Sequence, residues 1–272
     1  IEVFCNPNKL SEMEKFSEVQ DVIIRIQTDG DPVPMTCKEA VESGVVPNKL
    51  VAYYLGILTE FYEKTGIDTT KSRFRKLGDK EKAFYADVAF DFEVETTIGW
   101  LELVACNYRS DYDLSNHEKK SKQKFEIMDG DDKVLPHVFE ISMGIDRSLY
   151  TILEHNLKDD AEHERIVLSL KPYLAPVHVG ILSLVKKDGL KEKTDEIYLQ
   201  LRKKCDAFLD HSGAIGRRYR RLDEIGAPFA VTIDHQTLED ETVTIRMRDS
   251  MEQKRISISD LNSEVIQSIS FP

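Results

Sequence analysis

Cysteine is scarce in this sequence, and the few cysteines present are scattered. The 272 residues contain four of them and no Cys-x-x-Cys pair: Cys5, Cys37, Cys106 and Cys205. Neither a cysteine zinc site nor a disulfide framework is indicated, and the pattern fits a reducing cytosol. The sequence also lacks a signal peptide and any apolar run long enough to cross a bilayer. We therefore expect a cytoplasmic protein without a membrane-spanning segment.

Positive charge is in deficit overall but is unevenly distributed. The chain has 37 Lys and Arg against 49 Asp and Glu, a net charge of −12, which argues against a wholly basic nucleic-acid coat. From residue 165 onward the counts are 17 and 16, so the preceding part holds 20 basic and 33 acidic residues. A boundary is expected near residue 160, with the polar run 158–165 as a linker, giving domains 1–160 and 161–272.

Hydrophobic periodicity in the first half predicts helices and antiparallel strands. Helical spacing runs from Asn48 to Tyr62 and over 145–157. Apolar and acidic residues alternate from Asp87 to Glu95, which predicts an antiparallel strand with one solvent-exposed face. A second, more apolar strand completes a hairpin over 88–105, and 137–143 forms a third strand.

The second half alternates strands with helices, which predicts a compact α/β unit with a mixed sheet. Strands are expected at 167–170, 177–184, 227–233 and 242–248. Helices are expected at 190–211 and 215–225, followed by a last helix capped by Ser259.

The stretch E-I-S-M-G-I-D-R, which begins at Glu140, places charged and polar groups at a strand–helix junction. Glu140 and Ser142 share one face of the strand, opposite Ile141, so the polar pair can open into a cleft. Gly144 allows close approach of a ligand, and Arg147 in the first helical turn can reach phosphate oxygens. The pattern suits a ligand with an ammonium and a phosphate group. The alternative is a buried Glu140–Arg147 ion pair.

A second carboxylate, Glu102 in G-W-L-E-L-V-A-C, lies on a strand that should be central. An unpaired charge there would be costly, so a metal ion or an ordered arginine is expected beside it. The alternative is a salt bridge, with Arg109 as the candidate partner. Cys106 is expected to be a small core residue rather than a nucleophile.

The segment G-A-I-G-R-R-Y-R-R-L-D-E-I-G, residues 213–226, holds four arginines in five positions. Contact with an RNA backbone is one interpretation. The other is a solvated helix face paired with Asp223 and Glu224.

Several segments together resemble one enzyme family. PHVFEISMGIDRSLYTILEH is similar to motif 3 of class II aminoacyl-tRNA synthetases, in the form found in archaeal and eukaryotic-type glycyl-tRNA synthetases. GWLELVACNYRSDYDLSNH resembles that family's G-W-x-E-x-V-G-x-A-D-R-x-x-Y-D-L-x-x-H segment. GAIGRRYRRLDEIGAPFAVTID looks like part of its anticodon-binding domain. The resemblance implies an antiparallel catalytic sheet with helices, followed by an α/β anticodon-binding domain with a mixed sheet.

The resemblance also implies a reaction and a set of roles. Glycine and ATP would form glycyl-adenylate, and glycine would pass to tRNA(Gly). Glu140 and Ser142 would bind the glycine ammonium with the Ile141 backbone, and Arg147 would contact the ATP γ-phosphate. The remaining implied site residues are Glu102 at the ATP phosphates through Mg²⁺, Leu103 and Gly144 at ATP, and Arg109 within the active site. The implied partners are tRNA(Gly), glycine, and either a second copy of the chain or a separate N-terminal chain.

The sequence departs from the family pattern in three respects. E-I-S replaces E-P-S at 140–142, and N-Y-R replaces A-D-R at 107–109. Motifs 1 and 2, which supply the dimer interface and the α-phosphate arginine, have no counterpart in the 272 residues. A fragment, a split gene or a non-catalytic paralogue would each account for this. We expect a ligase that needs a motif 1 and 2 segment; the alternative is a synthetase-like module that binds tRNA or a partner.

Overall fold

The computed structural model describes residues 1–185, 187 and 189–271. The chain forms two compact units, Ile1–Thr151 and the part from Ile152 onward. The domain limits at residue 160, drawn from charge, remain predictions. Among the described residues, no helix is both long and apolar enough to span a membrane.

The first unit is built mainly on one large sheet. Its elements, the last of which continues past Thr151, are β1 (Glu2–Cys5), β2 (Ile23–Gln27), β3 (Val33–Thr36), α1 (Cys37–Glu42), α2 (Lys49–Lys64), β4 (Ser72–Lys76), β5 (Val88–Thr96), β6 (Gly99–Ser110), α3 (Tyr112–Ser121), β7 (Ile127–Asp129), β8 (Asp132–Val134), β9 (His137–Met143) and α4 (Ile145–Asn156). Seven strands pair in the order β1-β9-β6-β5-β4-β2-β3, and β7 pairs with β8. All neighbours in the large sheet are antiparallel except β2 and β4. The three predicted strands therefore lie side by side within it.

One face of this sheet is apolar and packs against α2. Phe92 stacks on Tyr62 of α2 with ring centroids 4.9 Å apart, and Phe139 lies 5.6 Å from Tyr54. The helix begins after Asn48, whose side chain caps it by accepting a hydrogen bond from a backbone N–H. Burying large aromatic side chains on this face supplies much of the driving force for folding the unit.

The opposite face of the sheet is charged, and Asp87 and Glu95 are exposed as predicted, but the middle of β5 is not solvent-exposed as the alternation predicted. Asp91 and Glu93 are only 8% and 7% exposed. Arg73 donates to Glu93 at 2.6 Å, and Arg75 donates to Glu93 at 2.9 Å and to Asp91 at 3.3 Å. The prediction is wrong because β4, which alternation did not reveal, places two guanidinium groups over the carboxylates.

The second unit has the predicted mixed sheet. Its elements after α4 are β10 (Leu157–Asp160), β11 (Arg165–Leu168), β12 (Val179–Ser183), α5 (Leu190–Leu201), β13 (Ala207–Asp210), α6 (Ile215–Glu224), β14 (Phe229–Ile233), α7 (His235–Asp240), β15 (Thr242–Met247), β16 (Gln253–Ser257) and α8 (Ile258–Ile269). The sheet order is β13-β12-β14-β15-β16, with β13, β12 and β14 parallel and the last two strands antiparallel. Apolar residues of the sheet and of α5 and α8 form its core, among them Ile181, Ile197, Val231, Ile245 and Leu261.

The predicted linker and one predicted helix are wrong. Residues 158–165 lie mostly in the β10–β11 hairpin, where Arg165 donates to Asp160 at 2.6 Å. The helix expected over 190–211 ends at Leu201, and β13 follows as an edge strand. Phe208, which falls within that expected helix, is 40% exposed on that strand. The last helix is capped by Ser257, two residues before Ser259.

Asp234 makes the stability of the second unit sensitive to acid. It accepts hydrogen bonds from Arg255 at 2.8 and 2.9 Å and caps α7 through the Thr237 N–H. The Arg255 bonds hold the pKa of Asp234 at about 2. Because this is below the unfolded value of about 3.9, the stabilisation is present above pH ~4 and is lost as the pH falls towards 2.

Asp234→Asn should therefore lower the urea midpoint at pH 6 and lower it much less near pH 2.5, where most of the stabilisation has been lost. Unfolding curves at several pH values measure both differences. Glu239→Gln, an exposed carboxylate on the same helix, is the control and should show no such convergence. A difference between Asp234→Asn and wild type that is equal at both pH values would contradict the assignment.

Candidate active site

The charged residues of the large sheet gather on the face opposite α2, which we call the polar face. Cross-strand register places there Glu2, Arg73, Arg75, Asp91, Glu93, Glu102, Asn107, Glu140 and Ser142. The face therefore combines both halves of the predicted site, from β6 and from β9.

A β-bulge turns Glu102 towards this face. Phe92 lies opposite Val104, but Glu93 lies opposite Glu102, so Leu103 is an extra residue in β6. In unbroken alternation Glu102 would share the core face with Val104. The bulge instead buries Leu103, which is 1% exposed. It thereby spares the carboxylate the cost of facing hydrocarbon.

Glu140 is held from one side only. Its Oε2 accepts hydrogen bonds from Arg109 Nη1 at 2.9 Å and from Asn107 Nδ2 at 3.3 Å. Arg109 is itself fixed by Asp113 at 2.6 and 2.7 Å and lies over the Tyr85 ring, 3.9 Å from its centroid. Among the described residues, none donates to Glu140 Oε1, and the side chain is 25% exposed. One carboxylate oxygen is therefore open to a cationic ligand.

Arg147 lies beside Glu102 at the start of α4. Its Nη1 donates to the Glu102 carbonyl at 2.9 Å and lies 3.6 Å from Glu102 Oε2, and both side chains are about half exposed. The Gly144 N–H donates to the Leu103 carbonyl at 2.8 Å, which joins the helix start to the bulge. The guanidinium keeps further donors available for phosphate oxygens.

Neither of the two ion pairs predicted as alternatives to a binding site forms, because each residue pairs with a different partner. Glu140 pairs with Arg109 rather than Arg147, and Glu102 pairs with Arg147 rather than Arg109. Those two pairings are therefore wrong. The bulge and the strand register decide the partners, and neither pair is sealed from solvent.

Negative charge exceeds the local counter-charge near Asp91. Burial and the nearby Glu102 raise the pKa of Asp91 to about 6. Mg²⁺ usually takes one or two protein carboxylates together with phosphate oxygens and water. In the described part of the chain, no group of three or more potential metal-binding side chains occurs. The donor set fits an ion that arrives with a nucleotide rather than a permanent metal site.

The other predicted residues on β9 and β6 occupy distinct environments. Ser142 is exposed on the polar face, whereas the Ile141 side chain is buried and its N–H donates to the Ile1 carbonyl at 2.9 Å. Proline at this position could not make that bond. Tyr108 faces the core and bonds to His137 Nδ1 at 2.7 Å. Ile141 and Tyr108, the two residues that depart from the family pattern, therefore point their side chains away from the polar face.

Sequence reasoning missed several residues that shape this face: Arg73, Arg75, Tyr85, Asn107 and Asp113. The alternation S-R-F-R-K at 72–76 is a strand signal that could have revealed the two arginines of β4. Nothing in the local sequence identifies Tyr85 as the residue beneath Arg109.

The arginines of α6 in the second unit mostly hold the fold together. Arg218 is 4% exposed and donates to the Ser183 carbonyl at 2.7 Å. Arg221 Nε donates to Asp210 at 3.0 Å, and Arg220 donates to a backbone carbonyl at 2.6 Å. The arginine-bearing face of α6 is therefore not freely solvated, although that was one of the two interpretations of this segment.

Asp223, proposed in that interpretation as their partner, is buried and binds other arginines. It accepts from Arg246 at 2.8 and 3.1 Å and from Arg165 at 3.1 Å. The predicted pairing of Asp223 with the α6 arginines is wrong. Arg217 is exposed and is the member of the run best placed to meet an RNA backbone.

Comparison with known proteins places this fold in a class. The chain is similar in structure to prolyl-tRNA synthetase from Cryptosporidium parvum, solved with L-proline and AMP, at a TM-score of 0.58 and 21% identity. The likeness covers 86% of this chain and 48% of that one. Residues 178–268 match the family model described as an anticodon binding domain. The chain has the fold of a class II aminoacyl-tRNA synthetase.

Within that class, the sequence is similar to glycine–tRNA ligases. It is 33% identical to that of Archaeoglobus fulgidus over 97% of this chain and 59% of the relative. For Methanocaldococcus jannaschii the values are 32%, 96% and 61%, and for Treponema denticola 40%, 75% and 48%. The chain is thus similar to glycine–tRNA ligases over most of its length, and it spans about half to three fifths of theirs.

Proposed function

We propose that this chain forms part of a glycine–tRNA ligase, which activates glycine with ATP and transfers it to tRNA(Gly). The observation that carries the proposal is the similarity to glycine–tRNA ligases over nearly the whole chain, 33% identity across 97% of it. The enzyme would be cytoplasmic, and it would act as a homodimer or with a separate N-terminal chain.

The glycine ammonium would bind at Glu140. Its Oε1 is open, while Arg109 and Asn107 fix Oε2 and so orient the carboxylate. Ser142, two residues along the same face, would add a hydroxyl acceptor, and the Ile141 backbone would complete the pocket. Glycine would be selected by sterics, because a larger amino acid is rejected by its added bulk rather than by missing contacts.

ATP would bind further along the polar face. Arg147 would contact the γ-phosphate, and Leu103 and Gly144, joined by a backbone hydrogen bond, would border the nucleotide. Glu102 would hold Mg²⁺, which would supply positive charge at the phosphates. Displacement at phosphorus depends mainly on positioning and charge neutralisation, which these groups provide.

The second unit would bind tRNA(Gly). Its residues 178–268 match the anticodon binding domain model, which supports contact with the anticodon arm. A non-catalytic tRNA-binding module with this fold is the other candidate. The open Glu140 oxygen and the solvent-accessible Glu102–Arg147 pair favour an enzyme, because a purely structural ion pair has no need of either.

The proposal predicts ATP–pyrophosphate exchange that depends on glycine. The assay uses the full-length protein that carries this chain or, if these residues are all of it, a mixture with the N-terminal part of the A. fulgidus relative. Exchange should fall at least about tenfold when alanine replaces glycine, because one methyl group in a tight pocket is worth roughly 1–3 kcal/mol. Tight tRNA binding without glycine-dependent exchange would instead support the binding module.

A further inference from the structure

Positive charge is concentrated just after His117, in the acidic half of the chain. Four exposed lysines, which we call the lysine patch, fall within six positions: Lys119, Lys120, Lys122 and Lys124. Lys124 pairs with Glu118 at 3.2 Å. Within the part of the chain that the structure describes, no carboxylate lies within ion-pair distance of the other three. The patch therefore presents largely uncompensated charge to solvent.

Helix electrostatics accounts for only part of this arrangement. The patch spans the C-terminal end of α3, where a lysine gains about 0.3–1 kcal/mol from the helix dipole. Lys119 and Lys122 line the same small pocket, so their like charges repel each other. Lys122 also adopts a left-handed conformation with φ of 61°, which is unfavourable for a residue other than glycine. An anionic partner would offset the repulsion within the cluster.

Phe125, which directly follows Lys124 in the chain, lines a pocket beside the proposed glycine site. This pocket, of about 320 Å³, is lined by residues that include Glu2, Arg109, His117 and Phe125. Arg109 is the residue that donates to Glu140. The rings of His117 and Phe125 meet edge to face with centroids 6.3 Å apart, and Phe125 is 37% exposed. Two aromatic side chains that flank the patch in the sequence therefore line this pocket.

We infer that the lysine patch and Phe125 bind the single-stranded 3′ end of tRNA and lead its terminal ribose to the pocket beside Arg109. Lysines match backbone phosphates, and unpaired bases stack on exposed aromatic rings. The inference rests on the proposed function, since that reaction requires the tRNA terminus to come close to Glu140. It adds to that function a binding surface in the first unit.

The first test is tRNA binding by the variant K119Q/K120Q/K122Q. The Kd for a tRNA(Gly) transcript should rise about tenfold or more at low salt, and the slope of log affinity against log salt should flatten by about 2. The matched control is K15Q/K38Q/K71Q, which removes three exposed lysines elsewhere in the first unit and should bind like the wild type. K119R/K120R/K122R keeps the charge and should also bind like the wild type.

The second test uses a transcript that lacks the unpaired 3′ nucleotides. Wild type and K119Q/K120Q/K122Q should bind it equally, and Phe125→Leu should weaken binding of the intact transcript only, by about fivefold or more. Wild-type affinity and salt slope in the triple variant, or an equal loss with both transcripts, would overturn the inference. Glycine-dependent exchange without tRNA should be unchanged in the lysine variant, so failure of the inference is distinguishable from failure of the proposed function.

Discussion

Glu140→Gln is expected to lower kcat/KM for glycine in ATP–pyrophosphate exchange by about 100-fold. The substitution keeps the size of the side chain and an oxygen acceptor but removes the charge that the open Oε1 offers to an ammonium. A hydrogen bond to a charged group is worth roughly 1.5–3 kcal/mol, and every 1.4 kcal/mol corresponds to a factor of ten. Most of the loss should appear in KM for glycine, with KM for ATP changed little.

The fold should survive this substitution, because Arg109 retains its two bonds to Asp113. Glu63→Gln makes the same charge change at an exposed position on α2. Because α2 packs on the opposite face of the sheet, this control should leave exchange unaffected. Circular dichroism checks that both variants are folded. If Glu140→Gln kept KM for glycine within about threefold of wild type, Glu140 would not be the ammonium-binding residue.

Asp223→Asn should produce the largest loss of stability among the substitutions considered. Asp223 is 1% exposed and pairs with Arg246 and Arg165, both of which are also buried. Neutralising it removes the carboxylate that pairs with the buried Arg246 and leaves Arg165 with Asp160 alone. Removing one partner from a buried ionic group costs about 3–5 kcal/mol.

Hydrogen exchange of the β14 amides under native conditions measures this loss within the second unit itself. Glu224→Gln, at the next position and exposed, is the matched control and should change the exchange free energy by less than about 0.5 kcal/mol. A variant Asp223→Asn as stable as the control would show that the arginines find other acceptors.

The parts of the fold that alternation and helical spacing predicted are the long elements with a strong apolar period. One face of each of these elements packs into the core, so the apolar period is clear in β5, β6, β9 and α2. The strands that were missed, including β2, β4, β13 and β16, have four or five residues each. Over so few positions the period of a strand cannot be told from that of a helix, and position in the sheet decides the outcome.

The candidate site shows the same division between chemistry and geometry. The residue types of Glu140, Ser142 and Arg147 mark a polar junction from sequence alone, and the family resemblance supplies their expected roles. Their partners were not predictable, because they depend on which strand lies beside which and on where β6 departs from regular pairing. Arg109 therefore pairs with Glu140 and Arg147 with Glu102, the reverse of the two pairings predicted from the sequence.

The bulge at Leu103 decides which face of the sheet Glu102 occupies. One extra residue in β6 sets Glu102 opposite Glu93 on the polar face rather than beside Val104 on the hydrophobic face. Deleting Leu103 would restore regular alternation with Glu102 still on the polar face, whereas regular pairing with Leu103 retained would turn Glu102 into the core. The irregular pairing of this short segment therefore determines where Glu102 points as much as the sequence of β6 does.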